Sequence, residues 1–199
     1  QLDSSLTGIL NALVPLFTLI IAVFVFKTKV KLHNIFGILI GLAGAIWLIA
    51  GDGVAIQNIH YAWFVVIATI CYAISLNTIK NYLQEMRPID IAGLAFLFVG
   101  PLMIIHLFTT DFIEIMITND QACSALGYVF ILATFGTSIA LVIFNKLLAR
   151  TTAIFASSVT YLIPIFAIMW GIFDGEHITL QYIFGTAIIF AGIFLVNKQ

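Results

Sequence analysis

Seven long apolar runs constrain this chain more than any other feature of its sequence. A helix that crosses a bilayer needs about 20 mostly apolar residues. The runs that meet this requirement are Ser4–Phe26, Asn34–Ala50, Tyr61–Ile79, Ile89–Thr110, Cys123–Leu147, Thr152–Phe173 and Leu180–Val196. They are continuous rather than alternating, which favours helices over membrane strands. The sequence therefore predicts an all-α membrane protein, a polytopic helical bundle with seven transmembrane helices in this chain.

Composition excludes a soluble globular domain. Only 9% of the residues are charged and 62% are hydrophobic, whereas soluble domains contain about 25% charged residues. The net charge of −1 argues against a nucleic-acid partner. Cys71 and Cys123 are far apart and form no CxxC motif. Since no His, Cys, Asp and Glu residues share a metal-ligand spacing, we predict no metal and no cofactor.

The charged residues divide between the two sides of the predicted membrane. If the seven runs alternate in direction, every basic residue falls on one side: Lys27, Lys29, Lys31, Lys80, Arg87, Lys146, Arg150 and Lys198. The other side receives Asp3, Asp52, Asp111, Glu114, Asp120, Asp174 and Glu176. Only Glu85 and Asp90 break this pattern. Because basic loops stay in the cytoplasm, we predict a multi-pass protein of the cell inner (plasma) membrane with a cytoplasmic carboxyl terminus.

An internal repeat links the beginning of the chain to its end. Each copy has a proline-bearing helix, a short charged hairpin and a glycine-bearing helix. The matched pairs are Pro15 with Pro164, Gly37 with Gly185 and Gly44 with Gly192. The hairpin of the first copy, within VFKTKVKLHNIFG, is basic, and that of the second, within IFDGEHITLQYIFG, is acidic.

Opposite orientation of the two copies explains this inversion of charge. Three further spans precede the second copy, so a complete unit has five helices, and an odd number inverts the next unit in the membrane. Inverted repeats of this kind are typical of secondary transporters, whose sites lie near midplane between the repeats. Only two helices of the first unit are present, so we expect the chain to be amino-terminally truncated.

These segments resemble the EamA-type permeases of the drug/metabolite transporter superfamily. The resemblance rests on LNALVPLFTLIIAVFVF…FGILIGLAGAIWLI and on FASSVTYLIPIFAIMWGIFDGEHITLQYIFGTAIIFAGIFLV. It implies a ten-helix inverted-repeat fold, of which this chain holds helices four to ten. Residues 1–51 would end the first EamA repeat with two helices, and residues 60–199 would form the complete second repeat. Glu176 matches the family's glutamate after the proline helix, whereas Thr28 departs from it in the first copy.

The resemblance implies a transporter that moves small organic metabolites, such as amino acids or related compounds, by alternating access. It implies a small-molecule substrate and a lipid environment as partners, with a homodimer as the candidate assembly. A truncated inactive permease fragment and a seven-helix receptor remain as alternatives. The sequence has no catalytic nucleophile–base pair and no GxxxxGK[ST] loop, so we predict that the protein is not an enzyme.

Two prolines near the centres of their spans predict a polar site. A proline inside a helix frees the carbonyl four residues before it, here those of Asn11 and Thr160. Polar side chains beside freed carbonyls would suit a substrate, although local repair and helix packing explain them equally well. The predicted substrate-binding residues are Asn11, Pro15, Tyr72, Ser75, Thr137, Ser157, Thr160, Tyr161 and Pro164.

Overall fold

The computed structural model describes residues 10–50, 62–119, 121–163, 165, 166, 169 and 180–197, and helices lie in all seven predicted runs. In chain order they are α1 (Val14–Phe24), α2 (Leu32–Ala50), α3 (Ala62–Tyr82), α4 (Pro88–Leu107), α5 (Phe112–Thr118), α6 (Ala122–Ile131), a π-helical segment (Leu132–Ile139), α7 (Ala140–Arg150), α8 (Ala153–Ser158), a 3₁₀ turn (Val159–Leu162) and α9 (Leu180–Asn197). The prediction of an all-α membrane protein is confirmed.

Three helices are long and apolar enough to cross a membrane. They are Trp63–Tyr82, Pro88–Leu107 and the continuous helix Ala122–Arg150, which comprises α6, the π-helical segment and α7. Four other apolar helices are shorter within the described residues: Val14–Phe24, Leu32–Trp47, Ala153–Leu162 and Ile183–Asn197.

The chain divides into two compact units, residues 1–82 with 151–199 and residues 83–150. The first unit is built around a close contact between α2 and α9. A Cβ atom on Gly192 would lie 2.5 Å from the backbone nitrogen of Gly41 and 2.7 Å from the carbonyl oxygen of Gly37. Because these distances are too short for any side chain, only glycine permits this approach of the two backbones.

The contact between α2 and α9 is antiparallel. Near the start of α2, the Asn34 side-chain amide donates a 2.8 Å hydrogen bond to the carbonyl of Val196, at the end of α9. At the other end of α2, a Cβ atom on Gly44 would lie 2.9 Å from side-chain atoms of both Ile188 and Ile189. The two helices therefore run in opposite directions along their contact. This is the arrangement that an inverted repeat requires.

α1 and α8 pack onto these two helices, and α3 packs against α1. One cluster of buried side chains joins α1, α2, α8 and α9, and its members are Leu19, Ala22, Ile38, Ile154 and Val196. Three residues after the end of α1, Lys27 has a φ of 52°, a left-handed conformation that is common just beyond helix ends. The basic hairpin thus begins with a sharp change of direction.

The second unit contains α4 to α7. α4 packs against α7, and α5 packs against α6. Asp90, one of the two acidic residues on the predicted basic side, lies in the first turn of α4 and accepts hydrogen bonds of 2.7 and 3.0 Å from Arg87. An acidic residue is favourable at a helix amino terminus, and this one also has a basic partner. Its presence among basic loops thus has a local explanation.

Replacing Gly192 with alanine tests the close contact. We expect Gly192→Ala to destabilise the protein by about 1–3 kcal/mol, because the added methyl group meets backbone atoms that no rotamer change can move. Gly127→Ala is the matched control, since a Cβ atom there meets nothing within 4 Å and alanine favours a helix. Thermal unfolding in detergent would measure both. Equal midpoints for the two variants would contradict the packing described here.

Candidate functional site

Pro15 lies at a break in the first predicted span. Within this span, Ala12 and Leu13 form a turn. Because α1 begins at Val14, Pro15 is the second residue of a helix. The sequence predicted a proline inside a continuous helix. The structure corrects this detail, because proline favours the first turn of a helix, where no backbone N–H is needed. Asn11 lies just before the break with an exposed side chain.

Three of the predicted site residues lie close together in the chain: Ser157 is on α8, and Thr160 and Tyr161 are on the 3₁₀ turn. The Ser157 hydroxyl donates to the carbonyl of Ile154 at 2.9 Å, and the Thr160 hydroxyl donates to the carbonyl of Ser157 at 2.8 Å. Both bonds are local and satisfy a polar group inside a membrane segment. This geometry favours helix packing for Ser157, which is fully buried. Pro164 lies outside the described residues.

Tyr161 packs between helices in this structure. Its side chain is 1% exposed, and its ring covers Gly41, where a Cβ atom would lie 2.6 Å from two ring carbons. The hydroxyl donates a 3.1 Å hydrogen bond to the carbonyl of Ile38 on α2. The tyrosine thus ties the 3₁₀ turn to the glycine-rich face of α2, and its contact with substrate stays a prediction.

The buried polar residues on α3, Thr69 and Asn77, are not the ones predicted. Tyr72 and Ser75 lie on the exposed part of the helix surface, whereas Asn77 is 2% exposed. The Asn77 amide donates to the carbonyl of Ala73 at 2.9 Å and to that of Thr18 on α1 at 3.1 Å. Sequence reasoning left Asn77 out of the predicted site. The signal was the spacing of Thr69, Ala73 and Asn77, because small or polar residues four apart share one helix face.

Thr137 lies in the π-helical segment of the second unit, which the sequence did not predict. The Ser138 hydroxyl donates at 3.1 Å to the carbonyl of Ala133, five residues before it. The Thr134 hydroxyl donates to the carbonyl of Phe130 at 2.8 Å. Single-turn π-helical bulges are frequent at functional sites, and this segment is eight residues long. The contact of Thr137 with substrate stays a prediction.

Asn145 on α7 is a second residue that sequence reasoning missed. Its side chain is 2% exposed, and its Nδ2 has no hydrogen-bond partner within the described part of the chain. A buried donor left unsatisfied costs about 1–3 kcal/mol. The signal in the sequence was a lone amide in the apolar stretch LVIFNKLL.

Among the described residues, no group of three or more His, Cys, Asp or Glu side chains is close enough to hold a metal ion. The buried polar side chains of the described residues carry hydroxyl and amide groups. Such groups bind neutral or charged organic molecules by hydrogen bonds.

Removing the Tyr161 hydroxyl separates a packing role from a substrate role. We expect Tyr161→Phe to lower stability by about 0.5–1.5 kcal/mol, the usual net value of one hydrogen bond, because the bond to Ile38 is lost. Thermal unfolding would measure this effect. Unchanged stability together with weaker substrate binding would contradict the packing role.

The sequence matches one known protein family over most of its length. No curated protein and no solved structure matches the sequence. The model of the EamA-like transporter family matches residues 60–198, which is most of the chain and includes α3 to α9. The assignment of residues 1–51 to a first repeat stays a prediction. Together with the membrane-spanning helices, the match shows that this chain belongs to the EamA-like transporter family.

Proposed function

We propose that this protein is a secondary transporter that carries small organic metabolites across the cytoplasmic membrane by alternating access. Membership of a transporter family gives the general activity. The observation that carries the finer proposal is the antiparallel contact of α2 and α9 through Gly37, Gly41 and Gly192. Secondary transporters built from inverted repeats move one repeat against the other around a central site.

The glycine contact joins the two predicted repeats and is suited to be the pivot of this motion. Backbone atoms of the two helices approach each other directly, and Asn34 bonds to the carbonyl of Val196 at one end. A contact made by backbone atoms has little freedom to repack, because no side chains can change rotamer. The polar side chains that would meet a substrate are therefore expected on the surrounding helices.

Asn11, Tyr72 and Ser75 are the proposed substrate residues of the first unit. Their side chains are exposed rather than packed in the core. Asn11 is adjacent to the break before α1, where regular backbone hydrogen bonding is interrupted. In a bilayer, irregular backbone is tolerated where it is buried in protein or lines a cavity, which supports a site at this position. Thr137 is the proposed substrate residue of the second unit, on its π-helical segment.

The proposed orientation places the carboxyl terminus in the cytoplasm. It is supported by the positions of all eight basic residues on one side of the predicted spans. The antiparallel arrangement of α2 and α9 is compatible with a basic hairpin on the cytoplasmic side and an acidic hairpin outside.

Transport by the full natural protein in proteoliposomes tests the proposal. With amino acids and related metabolites loaded inside, we expect counterflow of at least one labelled compound, and we expect Asn11→Ala to slow it about tenfold, the equivalent of 1.4 kcal/mol. Thr110→Ala is the control, because this exposed hydroxyl donates to the carbonyl of Leu107 and lies outside the proposed site. Ligand binding without counterflow would indicate a receptor instead, and equal rates for the two variants would exclude Asn11 from the site.

A further inference from the structure

Two buried asparagines on membrane-spanning helices differ in one respect. Asn77 on α3 and Asn145 on α7 are each 2% exposed. The Asn77 amide donates to the carbonyls of Thr18 and Ala73. The Asn145 amide nitrogen has no partner among the described residues. Asn77 therefore has the bonds expected of a structural residue. The amide nitrogen of Asn145 can still donate hydrogen bonds to a ligand.

The position of Asn145 suggests what this donor binds. It lies five residues before Arg150, so at about 1.5 Å per residue it is roughly 7–8 Å from the end of α7. Lys146 and Arg150 are exposed at the same end of the helix. Positive charges on a surface raise the local concentration of anions, and an amide N–H can donate to their oxygens.

We propose that the Asn145 amide binds a carboxylate oxygen of the transported molecule near the Arg150 end of α7. The inference rests on the proposed transport function and adds a substrate class, small organic carboxylates, to it. A donor that is satisfied only when substrate passes explains why the amide nitrogen is buried and yet has no partner among the described residues. Lys146 and Arg150 attract the carboxylate, and Asn145 binds it.

Stability provides the first test, with Asn77 as the matched control. Leucine resembles asparagine in size and has no polar atom. We expect Asn77→Leu to lower the unfolding midpoint by roughly 3–6 °C, since the carbonyl groups lose their shared donor. Asn145→Leu is expected to leave the midpoint unchanged or to raise it, since the amide nitrogen that it removes has no partner among the described residues. An equal drop for both variants would overturn the proposal by showing that Asn145 has a structural partner.

Ligand binding provides the second test. The probes are phenylacetate, succinate and L-phenylalanine, each paired with its carboxamide, added to the full natural protein in detergent. We expect at least one carboxylate to raise the unfolding midpoint more than its carboxamide does. Asn145→Leu and Asn145→Asp should each increase the half-saturating concentration of that carboxylate at least fivefold. Asn145→Asp removes the donor and adds a negative charge, so its effect should be the larger.

The outcomes separate this inference from the proposed function. If no carboxylate stabilises the protein, or if Asn145→Leu binds the carboxylate as well as the original protein does, the inference is wrong. Carboxylate binding that depends on Asn145 without counterflow in liposomes would support the inference and overturn transport. A result in which the carboxamides bind equally well would show that a neutral carbonyl suffices and would overturn the substrate class.

Discussion

The backbone contact between α2 and α9 is the interaction on which the rest of the first unit depends. In lipid there is little hydrophobic force to hold two apolar helices together, so association relies on close packing and on hydrogen bonds between helices. The glycines at positions 37, 41 and 192 allow that packing. The ring of Tyr161 then covers Gly41, and its hydroxyl bonds to α2. Substitution of one of these glycines would therefore displace a helix and a side chain together.

Buried polar side chains on these helices need hydrogen-bond partners within the protein, because the bilayer core contains no water. An unsatisfied polar group costs several kcal/mol in hydrocarbon, on the order estimated for transfer without a partner. The buried hydroxyls of Thr18, Ser157 and Ser158 accordingly donate to carbonyls of their own helices. Asn77 does the same and also reaches a neighbouring helix. The Asn145 amide nitrogen, which has no partner among the described residues, departs from this pattern.

The sequence predicted the helical segments well, because hydropathy is a local pattern that locates each apolar run. The equal spacing of Gly37 and Gly44 with Gly185 and Gly192 marked two equivalent helices, and the structure adds that these two helices pack against each other. The repeat also predicted that these helices are antiparallel.

Other features depend on tertiary packing and were not predictable in this way. The third predicted run, Tyr61–Ile79, carries several polar residues. Only packing decides that Asn77 faces the core while Ser75 is exposed. The π-helical segment requires a change of hydrogen-bond register that hydropathy does not record. The start of α1 at Val14 reflects the preference of Pro15 for a first turn, which competed with the apolar continuity of the run.

The most direct test of the inverted repeat is the side of the membrane on which each hairpin lies. Cys71 and Cys123 would be replaced with alanine, and single cysteines introduced as Lys29→Cys and Glu176→Cys in the full natural protein. A membrane-impermeant thiol reagent applied to intact cells should label the cysteine at 176 and leave the one at 29 unlabelled until the cells are opened. Labelling of both cysteines from the same side would contradict the opposite orientation of the two copies.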